Sequence, residues 1–218
     1  SDTSALDLRL TLIEPNGQMR ERRIQTLSQT KEGLTSSLTV FLSPENVRNT
    51  RFLSIEQQGG KTEQWIYLPA MRRVRRISSD GKSDYFMGSD FTYDDLGERH
   101  PDEDIHRLTH EEEVNGKATY VVESIPKDPS YMYSKTITWV MKDNFLGLKR
   151  EFYDRDGKLL KTLRINEFDQ VDGFWTILET EMHNVQRNHR TIMTIKNVQY
   201  NTGIRDNQFT ERAMTLGL

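Results

Sequence analysis

The chain has 218 residues, 9% of them aromatic and 29% charged, a composition that can build a packed core and excludes a disordered chain. Absence of cysteine excludes disulfides, thiolate nucleophiles and cysteine zinc sites, and a net charge of -3 gives no global pull toward nucleic acid. Hydrophobic residues make up only 34%, and no apolar run is long enough to span a bilayer, so a sheet with one wet face is expected.

Alternation with period two dominates the chain from its start. Leu6, Leu8, Leu10 and Leu12 alternate with Asp7, Arg9 and Thr11, the pattern of a half-buried strand. Asn16-Gly17 is a two-residue hairpin signal, and residues 20–27 return as a charge-rich strand. In the third strand, 34–42, Leu38, Val40 and Leu42 face one way, and Thr35, Ser37, Thr39 and Phe41 the other. Ser43-Pro44-Glu45-Asn46 then breaks the sheet as a turn or helix start. Residues 52–58 and 63–68 pair across Gly59-Gly60, and 74–78 form a short strand or extended arm.

Residues 79–105 differ. Asp80, Asp84, Asp90, Asp94, Asp95, Glu98, Asp102, Glu103 and Asp104 are interleaved with Tyr85, Phe86, Met87, Phe91, Tyr93 and Leu96. Such a long excursion is expected to cover the sheet with its aromatics, with 91–96 as a short helix. Strands then resume at 106–114, 117–124, 135–141, 148–153, 159–168, 174–183 and 190–200, separated by turns such as Asn115-Gly116 and Asp172-Gly173. A short helix capped by Asp206 is expected at 206–214. The sum is a mainly β fold of about ten or eleven strands, a sheet large enough that it must curl, split or close.

Little in the chain suggests chemistry. Nucleophile elbow, phosphate loop and dinucleotide fingerprint are all missing from the sequence. Asp154-Arg155-Asp156-Gly157 lacks the spaced oxygens of a calcium loop and reads as a hairpin turn. His100, His106 and His110 lie beside Glu111, Glu112 and Glu113, and His106 and His110 would share a face. Solvated histidines are nevertheless expected there rather than a metal site. Arg72, Arg73, Arg75 and Arg76 place four guanidiniums in five residues; they could grip phosphate or carboxylate, or pair with the acidic excursion, and the second is favoured. No catalytic residue, metal or cofactor is expected.

Three blocks in order carry a resemblance: FLSPENVRNTRFLSIEQ at 41–57, QWIYLPAMRRVRRISS at 64–79 and FMGSDFTYDDL at 86–96. They resemble the outer-membrane lipoprotein-sorting protein family, a branch of the LolA/LolB-like superfamily. The resemblance implies a single domain over 1–218, a strongly curved, unclosed antiparallel half-barrel with short helices covering its concave face. It implies a periplasmic carrier, its signal peptide removed, that binds lipid or lipoprotein acyl chains. An inner-membrane transporter and an outer-membrane acceptor are the implied partners. On that reading Leu8, Leu10, Leu38, Val40, Phe52, Trp65, Tyr67, Trp139 and Trp175 are the candidate apolar lining. Phe86, Met87, Phe91 and Tyr93 are the candidate lid, with Arg72, Arg73, Arg75 and Arg76 near a headgroup or partner. The alternative is a docking accessory module of an envelope transporter of the resistance-nodulation-division (RND) type, with its core filled by side chains.

Overall fold

The computed structural model describes residues 2–216. Its strands are β1 (Thr3–Ile13), β2 (Met19–Lys31), β3 (Leu34–Ser43), β4 (Arg51–Glu56), β5 (Thr62–Leu68) and β6 (Arg73–Arg76), then β7 (Asp104–Val114), β8 (Lys117–Pro126), β9 (Lys135–Met141), β10 (Gly147–Tyr153), β11 (Leu159–Val171), β12 (Phe174–Asn184) and β13 (His189–Tyr200). The count is thirteen rather than the expected ten or eleven, because every alternating segment forms a strand of its own, down to the four-residue β6.

All thirteen belong to one antiparallel sheet in the order β6-β5-β4-β3-β2-β1-β13-β12-β11-β10-β9-β8-β7. The chain meanders from the middle out to β6, crosses to the far edge, and meanders back until β13 pairs with β1. The edges β6 and β7 do not pair with each other, so the sheet stays open. It nevertheless curls strongly. Thr62 and Gln64, near one edge, line the same hollow as Lys127 and Tyr131, near the other. Curling is the expected outcome for a twisted sheet of this width.

The crossing segment lies on the concave face. It contains no α-helix at 91–96: the chain there makes turns, and Tyr85 and Thr92 form an isolated bridge. Phe91, Thr92 and Tyr93 are all buried in succession, which a one-faced helix cannot achieve. The covering pieces are single 3-10 turns at Asp80–Ser83, Phe86–Gly88 and Pro101–Glu103. The one α-helix among the described residues, α1 (Glu211–Leu216), packs on the opposite face, so it does not cover the concave side as expected. Asp206 opens a 3-10 turn instead of capping that helix, and its carboxylate is held by Lys31 and Gln29.

The two faces carry separate cores. Leu10, Ile24, Phe41, Phe52 and Ile66 pack on the concave face against Phe86 and Tyr93 of the excursion. Phe152 and Met182 pack there against Phe91 and Tyr133. On the convex face Leu38, Leu53 and Trp65 pack against Phe209 and Met214. Each fully buried side chain of this size contributes about 1.5–3 kcal/mol, so both faces stabilise the fold.

Candidate functional site

The excursion is a lid seated in the half-barrel, and its seating is both apolar and polar. Phe86 sits 5.7 Å from Phe41 and 5.1 Å from Phe52, ring centre to ring centre, and stacks on Tyr93 at 5.9 Å. Backbone carbonyls of the lid, which no strand satisfies, are taken up by side chains of the sheet. Arg22 Nη1 donates to Met87 O at 2.5 Å, and Gln64 Nε2 to Tyr93 O at 2.6 Å. Lys161 Nζ donates to Asp90 O at 3.0 Å.

Beneath the lid lies a charged core. Lys161 is fully buried, 2.5 Å from Asp95 Oδ2, with its ammonium 5.1–5.3 Å from the ring centres of Tyr85, Tyr133 and Phe152. Burial holds its pKa below the ordinary lysine value, although Asp95 opposes that shift. Asp95 also accepts from the Tyr133 hydroxyl at 2.8 Å and the Thr92 N–H at 2.8 Å. Asp90 is fully buried, with His189 Nδ1 at 2.7 Å and the Thr191 hydroxyl at 2.8 Å from its Oδ2. Asp94 accepts from the Tyr131 hydroxyl, and burial raises the pKa of both groups. Asp90, Asp94 and Asp95 are thus lid anchors rather than a solvated acidic run.

Beside the lid, the concave face of β8–β12 remains partly open. A cleft of about 390 Å³ runs between residues 91–104 and the sheet. Its apolar walls are Phe91, Tyr131, Tyr133, Phe152, Leu163 and Met182. Arg99 and Arg150 also line it, as do Asp94, Asp95 and Asp104. A larger hollow of about 890 Å³ next to it is lined largely by charged groups, among them Lys61, Glu63, Arg76, Glu98 and Lys127, and does not suit an acyl chain.

The nine residues expected to line a cavity do not share a face. Leu8, Leu10 and Phe52 lie on the concave side, within or against the core beneath Phe86 and Tyr93. Leu38, Val40, Trp65 and Tyr67 belong to the convex core under the C-terminal segment. Trp139 alternates away from the concave Thr136 and Thr138; its indole N–H donates to Glu112 at 2.8 Å and Lys149 covers its ring. Trp175 is 46% exposed beside Phe168. Alternation assigns residues to two faces without saying which is concave, and that is why the set divides.

The lid residues do converge: Phe86, Phe91 and Tyr93 are buried against the concave face, and Met87 packs beside them. Arg72, Arg73, Arg75 and Arg76 are exposed at the β6 edge. Arg76 pairs with Glu63 of the neighbouring strand at 2.9 Å; Arg72, Arg73 and Arg75 form no ion pair among the described residues. The favoured pairing with the acidic excursion is therefore corrected: Asp95, Asp90, Asp94 and Asp104 of that excursion go to Lys161, His189, Tyr131 and Arg99 instead. His106 and His110 do not share a face as expected, because a register shift separates Leu108 from His110. His106 bonds Ser124 and the Pro101 carbonyl instead.

Sequence reasoning missed Lys161, Arg150 and, apart from Phe91, the apolar walls of the cleft. The signal for Lys161 was present: Lys161, Leu163 and Ile165 share one phase of β11, a lysine in line with apolar residues.

A family model described only as an uncharacterized protein matches residues 33–216. A solved domain from Vibrio parahaemolyticus, assigned to outer membrane lipoprotein sorting, is 34% identical with a TM-score of 0.92, the alignment covering 98% of this chain and 91% of that one. The chain belongs to the outer-membrane lipoprotein-sorting protein family. A DUF1329 family protein from Desulfovibrio piger is 30% identical with a TM-score of 0.92, covering 98% of this chain and 92% of that one. A LolA superfamily protein from Nitrosomonas europaea shares the fold at 22% identity and a TM-score of 0.75, over 97% and 91% of the two chains. No curated protein matches the chain. No described helix is long and apolar enough to cross a membrane.

Proposed function

We propose that the protein is a periplasmic carrier that shields acyl chains of lipids or lipoproteins on their way to the outer membrane, and that it carries out no chemistry. The observation that supports this reading most is the partly apolar cleft beside the lid on the concave face, in a chain 34% identical to a sorting domain. Each methylene withdrawn from water contributes about 0.8 kcal/mol, so even half of a long chain is held usefully. Partial burial also lets the cargo leave. Leu8, Leu10 and Phe52 become available only if Phe86 and Tyr93 lift, so a larger cargo requires lid movement. Arg72, Arg73 and Arg75, exposed and without ion pairs among the described residues, are free for a headgroup or a membrane partner.

The test is capture of a fluorescent fatty acid by the wild type and by Met182→Asp and Leu163→Asp. Capture is expected to fall at least tenfold in either variant. Undiminished capture by a variant that keeps its far-ultraviolet circular dichroism would refute the reading.

The second reading is a docking module of an RND-type transporter. It is favoured by the burial of Phe86, Phe91 and Tyr93, which fill much of the concave face with the protein's own side chains. It requires that charge reversal at Arg72, Arg73 and Arg75 abolish co-purification of such a transporter while acyl capture is absent from the wild type.

A further inference from the structure

The cleft is chemically unequal along its length. Of the two arginines that line it, Arg99 is held by Asp104, with Nη2 2.6 Å from Oδ1 and Nε 3.1 Å from Oδ2, and its guanidinium lies over Tyr131 at 3.7 Å. Arg150 has no such partner. Among the described residues its only side-chain bond is from Nε to the Thr138 hydroxyl at 2.9 Å, which leaves its terminal nitrogens free.

The carboxylates around it are committed elsewhere. Asp94 is bonded to Tyr131, Asp95 to Lys161 and Tyr133, and Asp104 to Arg99. Glu98, the remaining acid of the lining, has its pKa raised by burial and, to a lesser degree, by the neighbouring Glu56. Arg150 is exposed as a residue, yet the surrounding protein lowers its pKa by desolvation, with Asp95 and Asp104 opposing that shift from a distance. A guanidinium so placed gains most from an oxyanion, which it can grip through two parallel N–H bonds.

Sheet register fixes what lies next to it. Arg150 on β10 is opposite Leu163 on β11, and Leu163 is opposite Met182 on β12. Phe152 follows on the same face of β10, and Phe91 closes the stripe from the lid. With strands about 4.8 Å apart, an apolar floor starts one strand from the cation. The cleft's volume, about 390 Å³, is near the small end of the roughly 300–1,000 Å³ typical of ligand sites, which suits one chain rather than several.

We propose that this cleft binds a single-chain anionic amphiphile, its carboxylate or phosphate on Arg150 and its acyl chain entering past the half-buried Leu163 and running over Phe152 and Met182 as Phe91, which now buries them, lifts. The inference rests on the carrier reading and sharpens it. The amide-linked and ester-linked chains of a lipoprotein N-terminus bring no anion to the site, so the preferred cargo is a fatty acid or an acidic lysolipid.

The test compares three ligands of equal chain length below their micellar concentrations: palmitate, palmitoyl-lysophosphatidylglycerol and uncharged monopalmitoylglycerol. Equilibrium dialysis is run on the full chain, and on Arg150→Gln and Arg150→Lys. At least one anionic ligand is expected to bind the wild type tenfold or more tightly than the uncharged one, and the tighter of the two names the head. Arg150→Gln is expected to bring the anions to the uncharged level while leaving monopalmitoylglycerol unchanged, and Arg150→Lys to restore part of the preference. Equal binding of charged and uncharged ligands by the wild type overturns the inference whether or not the variants fold, and leaves the carrier intact. So does a preference that survives Arg150→Gln. Binding of none of the three overturns the carrier reading along with it.

Discussion

At the scale of single residues, Lys161 is the group on which the lid's seating depends most. Removing one partner of a buried ion pair costs about 3–5 kcal/mol, because the other charge is left unpaired in a poor solvent. Lys161→Met is therefore expected to lower the urea midpoint markedly, and adding Asp95→Asn to it to restore part of the loss. Additive losses in the double variant would contradict the pairing. Gly60 offers a separate test of how the crossing segment approaches the β4–β5 turn. Gly59 and Gly60 both have positive φ, +89° and +84°, but an added Cβ meets nothing within 4 Å at Gly59, whereas at Gly60 it would lie 2.8 Å from His100 Cβ. Both alanine substitutions carry the backbone strain, and only Gly60→Ala adds the clash, so Gly60→Ala is expected to be the more destabilising in thermal melts.

The buried phenols set the alkaline limit. Burial raises the pKa of Tyr85, Tyr93, Tyr131 and Tyr133 above the usual tyrosine value. As pH rises past about 10, the unfolded chain gives up phenolic protons that the native chain keeps, so unfolding is favoured. Their contribution is complete below pH 10 and is lost above it. Lys161, with its pKa lowered, acts in the opposite sense, since a native chain that holds its proton less tightly gains stability as pH rises toward the ordinary lysine value. Four tyrosines against one lysine predict a net fall in stability above pH 10, and Tyr133→Phe is expected to make that fall shallower in denaturant titrations.

At the scale of elements, the lid is a single crossing segment tied to the sheet at Arg22, Gln64 and Lys161. Truncating a buried phenylalanine typically costs about 3–5 kcal/mol, so Phe86→Ala is expected to loosen the lid substantially. Hydrogen exchange should then quicken across residues 80–104 and stay slow in β12 and β13, whose ladder does not pass through Phe86. Uniform quickening would instead make the lid inseparable from global unfolding. The strands were legible in the sequence because each hairpin carries period-two alternation and a turn pair such as Asn115-Gly116 or Asp172-Gly173. The lid's role was legible from its aromatics, since Phe86, Phe91 and Tyr93 have nowhere to go but a sheet. Its anchoring was not, because Asp90 and His189 lie ninety-nine residues apart in the chain and meet only through the curl. Nor could alternation separate the concave Phe52 from the convex Leu53, which decided where the lining residues fell.

At the scale of the whole molecule, an open half-barrel must protect two free edges. Charge on both answers that need: three arginines along β6, and Glu111, Glu112 and Glu113 along β7. Charged edge strands resist pairing with a second chain, so Glu111→Val combined with Glu113→Val is expected to raise the sedimenting mass. Openness is also what allows a cleft to form beside the lid without a sealed cavity. The walls come from β8 to β12, with Tyr131 and Tyr133 of the β8–β9 connection, on one side and from residues 91–104 on the other.

The most direct test of the carrier is native mass spectrometry of the protein isolated from a bacterial envelope under mild conditions, and again after incubation with palmitate. The account predicts a stoichiometric adduct whose mass and solvent extract identify an acyl lipid, lost in Leu163→Asp. A bare protein mass in both preparations would contradict it.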